Sequence, residues 1–403
     1  MNIPQVDDAI IQRVRAMSER AESLKNAGLY FYNRPISELR GGARVLVDGR
    51  EMGMYASYSY LGLVGHPRIN AAAKAAIDRY GTGTHGVRTL AGSLRVHQEL
   101  EETIAAFKQT EAAITYTSGY VTNLTVVSTL LGRDDYVISD KLNHASIVDG
   151  CLMSGAKFLR FIHNDMQALE NRLQQVPAGS AKLVVADAVF SMDGDIINFP
   201  AMVALCRKYN AWLMIDEAHS VGVLGKTGRG IEEHFNMPDT IDIKMGTLSK
   251  TIPSVGGYIA GKKEIIDYLR HASRAYIFSA ALPPAQAAAA SEAFKVILDE
   301  PWRIEKLTAN ARQFITGLKQ RGFDTLNTET AIVPILCGPD ETAYTLTRLC
   351  QLQDLFVLPV VSPAVPVGMA RLRATVTAAH ESDEIEQAMD VIAQAGRQLG
   401  LIS

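Results

Sequence analysis

Apolar and polar positions recur with two periods along this chain, and the switches between them outline its elements. Residues 6–27 place Val6, Ile10, Ile11, Val14, Met17 and Leu24 at helical spacing between charges, and Gly28 stands where a helix would end. This predicts an N-terminal helical arm. Two short alternating runs follow at 44–48 and 52–56, with Asp48-Gly49-Arg50 between them, the turn chemistry of a β-hairpin.

From about 67 to 290 short apolar runs alternate with helical stretches. The strand-like runs are 112–116, 136–139, 157–161, 183–186, 212–215, 243–246 and 257–260; the helical ones include 67–80, 97–108, 119–131, 165–175 and 199–209. Such alternation predicts a mostly parallel central sheet flanked by helices, whose ligands bind beyond the carboxyl ends of the strands. The rest predicts a smaller C-terminal α+β domain: a long helix from about 291, strands at 331–336, 356–359 and 371–376, and a closing helix at 382–398. Pro359, Pro363 and Pro366 make a rigid loop.

Charge narrows the class of function. With 40 Lys+Arg against 43 Asp+Glu, the chain has no bulk positive field for a phosphate backbone, so nucleic acid is not the expected partner. Cys151, Cys206, Cys337 and Cys350 form no CxxC pair and read as buried thiols of a reducing compartment, hence a cytoplasmic protein. No uncharged apolar stretch reaches the length of a membrane span, and the first twenty residues lack the basic and apolar regions of a signal peptide.

The residues that carry chemistry follow predicted strands. The run 212–215 leads into Asp216-Glu217-Ala218-His219, and the run 243–246 leads into Thr247-Leu248-Ser249-Lys250. After the run 112–116, Thr117-Ser118-Gly119-Tyr120 opens a helix, whose first N–H groups form an anion site. A lysine for a Schiff base, a carboxylate for a pyridine nitrogen and an N–H cup for a phosphate are what a pyridoxal phosphate site requires. Singly, each has a plain structural reading: Asp-x-x-His as a capping pair, Ser-Lys as surface, Ser-Gly-Tyr as an N-cap. Their order along the chain is what points to the cofactor.

The chain also resembles the α-oxoamine synthases, a branch of the fold type I pyridoxal phosphate transferases. The resemblance rests on SYLGL (59–63), GTGTHGVRTLAGSLRVHQELE (81–101), TSGYVTN (117–123), DKLNHASIVDG (140–150), HND (163–165), DAVFSMDGDI (187–196), DEAHSVGVLGKTGRG (216–230), GTLSK (246–250), IFSAALPP (277–284) and ARLRATVTAAH (370–380). It implies a division into arm and hairpin (1–60), a cofactor-binding large domain (61–290) and a small domain (291–403). Its further implication is a homodimer with active sites at the interface, condensing a small α-amino acid with an acyl thioester, on coenzyme A or an acyl carrier protein, with loss of carbon dioxide. Lys250 would bind pyridoxal 5′-phosphate and move protons, Asp216 would pair with its pyridine nitrogen, His219 would bond its ring oxygen and His144 would stack on the ring. Ser118, Gly119, Tyr120, Ser191 and Thr247 would complete the cofactor site, Ser279 would reach a phosphate across the dimer interface, and Arg373 would anchor a carboxylate.

The chain departs from this pattern at several points. Tyr58 stands where most relatives have an asparagine that touches the amino acid, Asp187 replaces a glutamate, and Gly86-Val87-Arg88 replaces Gly-Ser-Arg. Residues 359–366 lack the arginine that biotin-pathway synthases and some serine palmitoyltransferases carry near position 361. Segments 28–36 and 360–366 resemble bacterial serine palmitoyltransferases and are apolar enough to line an acyl channel or, for 360–366, to pack the small domain. An 8-amino-7-oxononanoate synthase, a glycine C-acetyltransferase, an aminotransferase of the same fold and a silent partner subunit are the alternative readings.

Overall fold

The computed structural model describes residues 9–403, so Val6, the first apolar position of the arm, lies outside the described residues. The arm is a helix, Ala9–Asn26, with no buried side chain. Gly28 takes a left-handed φ of 67° just beyond it. The hairpin forms from Arg44–Val47 and Arg50–Met54. Asp48 and Gly49 both have positive φ at its turn, as a right-handed strand twist demands of a two-residue loop. This hairpin is bound into the far end of the chain, because Leu355–Phe356 adds to it as a parallel strand.

Seven strands make the central sheet, in the order Ala112–Tyr116, Pro253–Gly261, Ile243–Ser249, Trp212–Asp216, Lys182–Asp187, Tyr136–Asp140 and Lys157–Phe161. The four pairings among the last five strands are parallel, and Pro253–Gly261 runs antiparallel to both of its neighbours. The strands read as continuous apolar runs because both faces are covered. Val137, Leu183, Val185, Met214 and Met245 enter the core on one face, and Ile138, Val184, Ala186, Leu213 and Ile215 enter that on the other.

Two expectations about the C-terminal part change. The single long helix from 291 is instead two, Pro284–Asp299 and Trp302–Gln320. They break at Pro301, which has no N–H to continue the first helix and is well suited to start the second. The single strand at 356–359 is also two. Leu355–Phe356 joins the hairpin, while Pro359–Val360 pairs with Ala370–Thr375, which in turn pairs with Ile332–Gly338. A further helix, Asp340–Leu352, was not evident from the pattern. In the run 360–366, Val361 and Val365 are buried and Val360 is partly exposed, with Val361 packed in the main hydrophobic core. All four cysteines are buried free thiols. Among the described residues no helix is long and apolar enough to cross a membrane.

The segment that leaves Asp216 is clamped by a buried ion pair. Lys108 contacts both the Glu217 carboxylate and the Arg229 carbonyl, and the paired side chains are only 3% and 1% exposed. Glu217 also accepts from the backbone N–H of Ile231 at 2.9 Å. Gly230, at a φ of 104°, leaves room for this carboxylate, since a Cβ there would lie 2.0 Å from Glu217 Oε1. Removing one partner of such a pair strands a buried charge, so Lys108→Met is expected to lower stability by about 3–5 kcal/mol in urea unfolding. Adding Glu217→Gln removes the stranded charge and should restore part of that loss. No recovery in the double variant would show that the pair is not the clamp.

Candidate active site

Parallel register brings the chemistry to one edge. Asp187 pairs with Asp216 across adjacent strands, and Asp216 pairs with Met245 on the next. The end of that third strand, Ile243–Ser249, delivers Thr247 and then Lys250. Lys250 Nζ lies 2.8 Å from His219 Nε2, and His219 Nδ1 lies 2.6 Å from the buried Tyr60 hydroxyl. Burial brings the Lys250 amine down to about 8 despite the opposing Asp216 and Asp187 carboxylates, with Arg373 adding to the decrease. His219 is held neutral, well below the ordinary imidazole value, first by burial and then by the Lys250 and Arg373 charges.

Asp216 is buried. Its Oδ1 accepts from the N–H of Ala218 at 2.9 Å and its Oδ2 from Asn123 Nδ2 at 2.7 Å. Asn123 lies one helical turn beyond Gly119 and so shares its face of the helix Gly119–Leu130. Ser118 caps this helix, its Oγ accepting from the N–H of Val121 at 3.1 Å. The N–H groups of Gly119 and Tyr120 take no acceptor among the described residues. The helix start can press against the sheet because residue 257 is glycine: a Cβ there would sit 2.4 Å from Thr122 Oγ1 and 2.8 Å from Gly119 Cα. Thr247 closes the cup, with its hydroxyl donating to the Gly256 carbonyl at 3.2 Å and lying beside Gly119.

His144 caps the helix Ala145–Ser154. Its N–H donates to Asp187 Oδ2 at 2.9 Å, and its Nδ1 lies 2.7 Å from Ser146 Oγ. Burial lowers its pKa, Asp216 opposes the shift and Lys250 adds to it. Burial and the Asp216 charge together raise the Asp187 carboxyl well above the usual range. Tyr120 is half-exposed, with its hydroxyl on Asp149 and its ring edge-on to His144 at 6.4 Å.

Both arginines of the strand Ala370–Thr375 reach the loop at 191–193, because alternate strand residues share a face. Arg371 bonds the Met192 carbonyl at 3.2 Å and contacts Asp193, while Arg373 Nε donates to the Ser191 carbonyl at 2.6 Å. Ser191 therefore meets Arg373 through its backbone. Arg373 Nη1 donates to Thr375 Oγ1 at 3.0 Å, whereas the buried Nη2 has no partner. The Tyr58 ring links the two ends of the site: the Arg373 guanidinium lies 4.8 Å and Lys250 Nζ 5.6 Å from its centroid.

Ser279 stands apart, across a small surface cleft from Thr117. His163 is a structural tie, bonding Asp140 at 3.0 Å and Asp195 at 2.9 Å. Burial disfavours its charge, but the two carboxylates raise its pKa to about 10. Tyr60, Asn123 and Ser146 were not singled out as site residues from sequence, although each lies inside a motif. The helical period from Gly119 to Asn123 was the available signal.

This geometry can be set beside known proteins. The model for the aminotransferase class I and II family matches residues 54–392, and the chain belongs to that family and, within it, to the α-oxoamine synthases. The 8-amino-7-oxononanoate synthase of Geobacter sulfurreducens is 43% identical over 390 residues, covering 96% of this chain and 100% of the relative. The serine palmitoyltransferase of Sphingobacterium spiritivorum is 42% identical over 377 residues, 94% of each chain. A solved serine palmitoyltransferase from S. paucimobilis, carrying bound PLP and myriocin, superposes with a TM-score of 0.95 at 33% identity, over 98% of this chain and 100% of that one. The architecture is thus the fold type I transferase fold, and pyridoxal 5′-phosphate is its cofactor.

The residues present suit that group. Two N–H donors without acceptors stand at a helix start beside a threonine hydroxyl, a buried carboxylate ends a central strand, and an amine of lowered pKa follows the adjacent strand. The lowered amine pKa carries a linkage. The folded apoprotein binds fewer protons than the unfolded chain between about pH 8 and 10.5, so stability rises with pH across that window. Lys250→Met should therefore make the apoprotein more stable near pH 7, by at most about 3 kcal/mol, with the advantage shrinking above pH 8. Urea unfolding of the two apoproteins from pH 7 to 10 measures this, and an advantage that grows with pH would contradict it.

Proposed function

We propose that this enzyme condenses a small α-amino acid with an acyl thioester, releasing carbon dioxide, the carrier thiol and an α-aminoketone. One observation carries the reading: the Lys250 amine and the Arg373 guanidinium, whose buried Nη2 has no partner, lie over the same tyrosine ring. An amino acid whose nitrogen takes the place of the lysine amine would meet that guanidinium with its carboxylate. When bound, the cofactor supplies an electron sink for negative charge at Cα.

The chain's own groups then have these roles. Lys250 holds the cofactor, takes the proton from Cα and returns one at the end. Asp216 would keep the pyridine nitrogen protonated, His219 would bond the ring oxygen, and His144 would stack on the ring and orient the reacting amino acid. Ser118, Gly119, Tyr120, Thr247 and Ser191 complete the cofactor site. Ser279 would contribute from the partner copy of a homodimer. The exposed Leu90 and Phe278 support such an assembly, since the bridge between Val87 and Ala280 ties together the segments that carry them. Four buried free thiols suit a cytoplasmic enzyme.

For the acyl group we favour the serine palmitoyltransferase-like choice of a medium or long chain, carried by coenzyme A or an acyl carrier protein. The 8-amino-7-oxononanoate synthase reading has comparable sequence similarity. Against it, the region where biotin-pathway synthases, and some serine palmitoyltransferases, carry an arginine here has Val361, buried in the core.

The test is a panel of glycine, alanine and serine against acyl thioesters of increasing chain length. Carbon dioxide and free thiol should appear together, and Lys250→Ala should lose at least about 10²–10⁴-fold in rate. Conversion of the cofactor to its amine form by amino acid alone would indicate an aminotransferase instead. Tyr58 also limits the space at Cα, so Tyr58→Ala should raise kcat/KM for threonine relative to alanine by about tenfold or more. An unchanged ratio would remove Tyr58 from amino-acid selection.

A further inference from the structure

Asn123 is 1% exposed, and its side chain bonds only through nitrogen: Nδ2 reaches Asp216 Oδ2 at 2.7 Å and Ser146 Oγ at 3.0 Å, while Oδ1 has no partner. A carboxylate only accepts, so it fixes which way the amide faces. The second hydrogen on that nitrogen then goes to Ser146 Oγ, which accepts it. The Ser146 hydroxyl hydrogen is left to donate, and its neighbour at 2.7 Å is His144 Nδ1. The backbone N–H of Ser146 also points to Nδ1, at 3.3 Å. Two donors converge on Nδ1, so a neutral His144 carries its hydrogen on Nε2.

We propose that Asn123 and Ser146 are positioning residues that transmit the orientation set by Asp216 to His144 and hold it as the Nε2–H tautomer. This rests on the reading of Asp216 and His144 as cofactor-contacting groups. It adds that the two are coupled: the carboxylate at the pyridine end determines which face of the imidazole can donate. A donor at Nε2 is what a histidine needs if it is to orient a substrate oxygen. The opposite tautomer would put its hydrogen between two donors. A purely structural Ser146 would only fill the first turn of the helix Ala145–Ser154, which His144 caps, and would leave the weaker 3.3 Å backbone N–H contact as the sole donor to Nδ1.

The experiment uses the full-length holoenzyme labelled with ¹⁵N in its histidine rings, with the His144 signals assigned by their loss in His144→Asn. In the unaltered protein His144 should show an unprotonated Nδ1 and a protonated Nε2. Ser146→Ala removes the hydroxyl but keeps the bond between Asn123 and Asp216. It should shift the His144 nitrogen signals toward a tautomer mixture and lower kcat about tenfold, with little change in amino-acid KM. Ser146→Thr keeps a hydroxyl and should restore both. A protonated Nδ1 in the unaltered protein, an unmoved tautomer in Ser146→Ala, or no rescue by threonine would each overturn the proposal. The nitrogen signals are read without turnover, so a protein that shows the relay but no condensation would count against the reaction and not against the relay.

Discussion

The hydrogen bond from Asn123 to Asp216 joins the two halves of the candidate active site. Asp216 ends a central strand, Asn123 lies one turn into a helix that starts beside a different strand, and 2.7 Å separates their side chains. That distance requires the helix start to rest almost on the sheet. It does so because Gly257 presents no Cβ to Gly119 and Thr122. The consequence is a helix whose free N–H groups and whose amide serve one pocket. The N–H groups offer a place for an anion, and the amide orients a carboxylate.

Burial sets the electrostatics. Lys250, His144 and His219 share one partly dry edge of the sheet, and burial is the main cause of each of their shifts. It leaves an amine near neutrality and two imidazoles without charge, a combination suited to proton transfer and not to ion pairing. The fold's strong ion pairs lie elsewhere. Lys108 with Glu217 clamps the segment after Asp216, and Arg371 with Asp193 fixes the loop that Arg373 also grips. These pairs hold backbone so that the reactive groups need not be paired themselves.

The small domain acts on the site through one strand. Arg371 and Arg373 project on the same face, and Leu372 fills the core on the other. The parallel pairing of Leu355–Phe356 with the hairpin near residue 54 also attaches the N-terminal segment bearing Tyr58 to this domain. The Tyr58 ring thus meets both Arg373, from the strand Ala370–Thr375, and Lys250, which follows the strand Ile243–Ser249.

Much of this was legible in order along the chain. The seven strands of the central sheet, the residues at their carboxyl ends and the turn at Asp48-Gly49 follow from local period and turn chemistry, which act over a few residues. The division of residues 355–360 between two sheets does not, since it depends on which distant edge accepts each half. Nor could sequence show that Asn123 spans to Asp216, that Tyr58 lies under Arg373, or that Val361 turns inward. Those are contacts between segments far apart in the chain, and only packing selects them. The sequence by itself determined which groups arrive at the sheet edge. The tertiary structure decided which of them touch, because burial and hydrogen-bond direction, not spacing, set the partners of Lys250, Asp216 and His144.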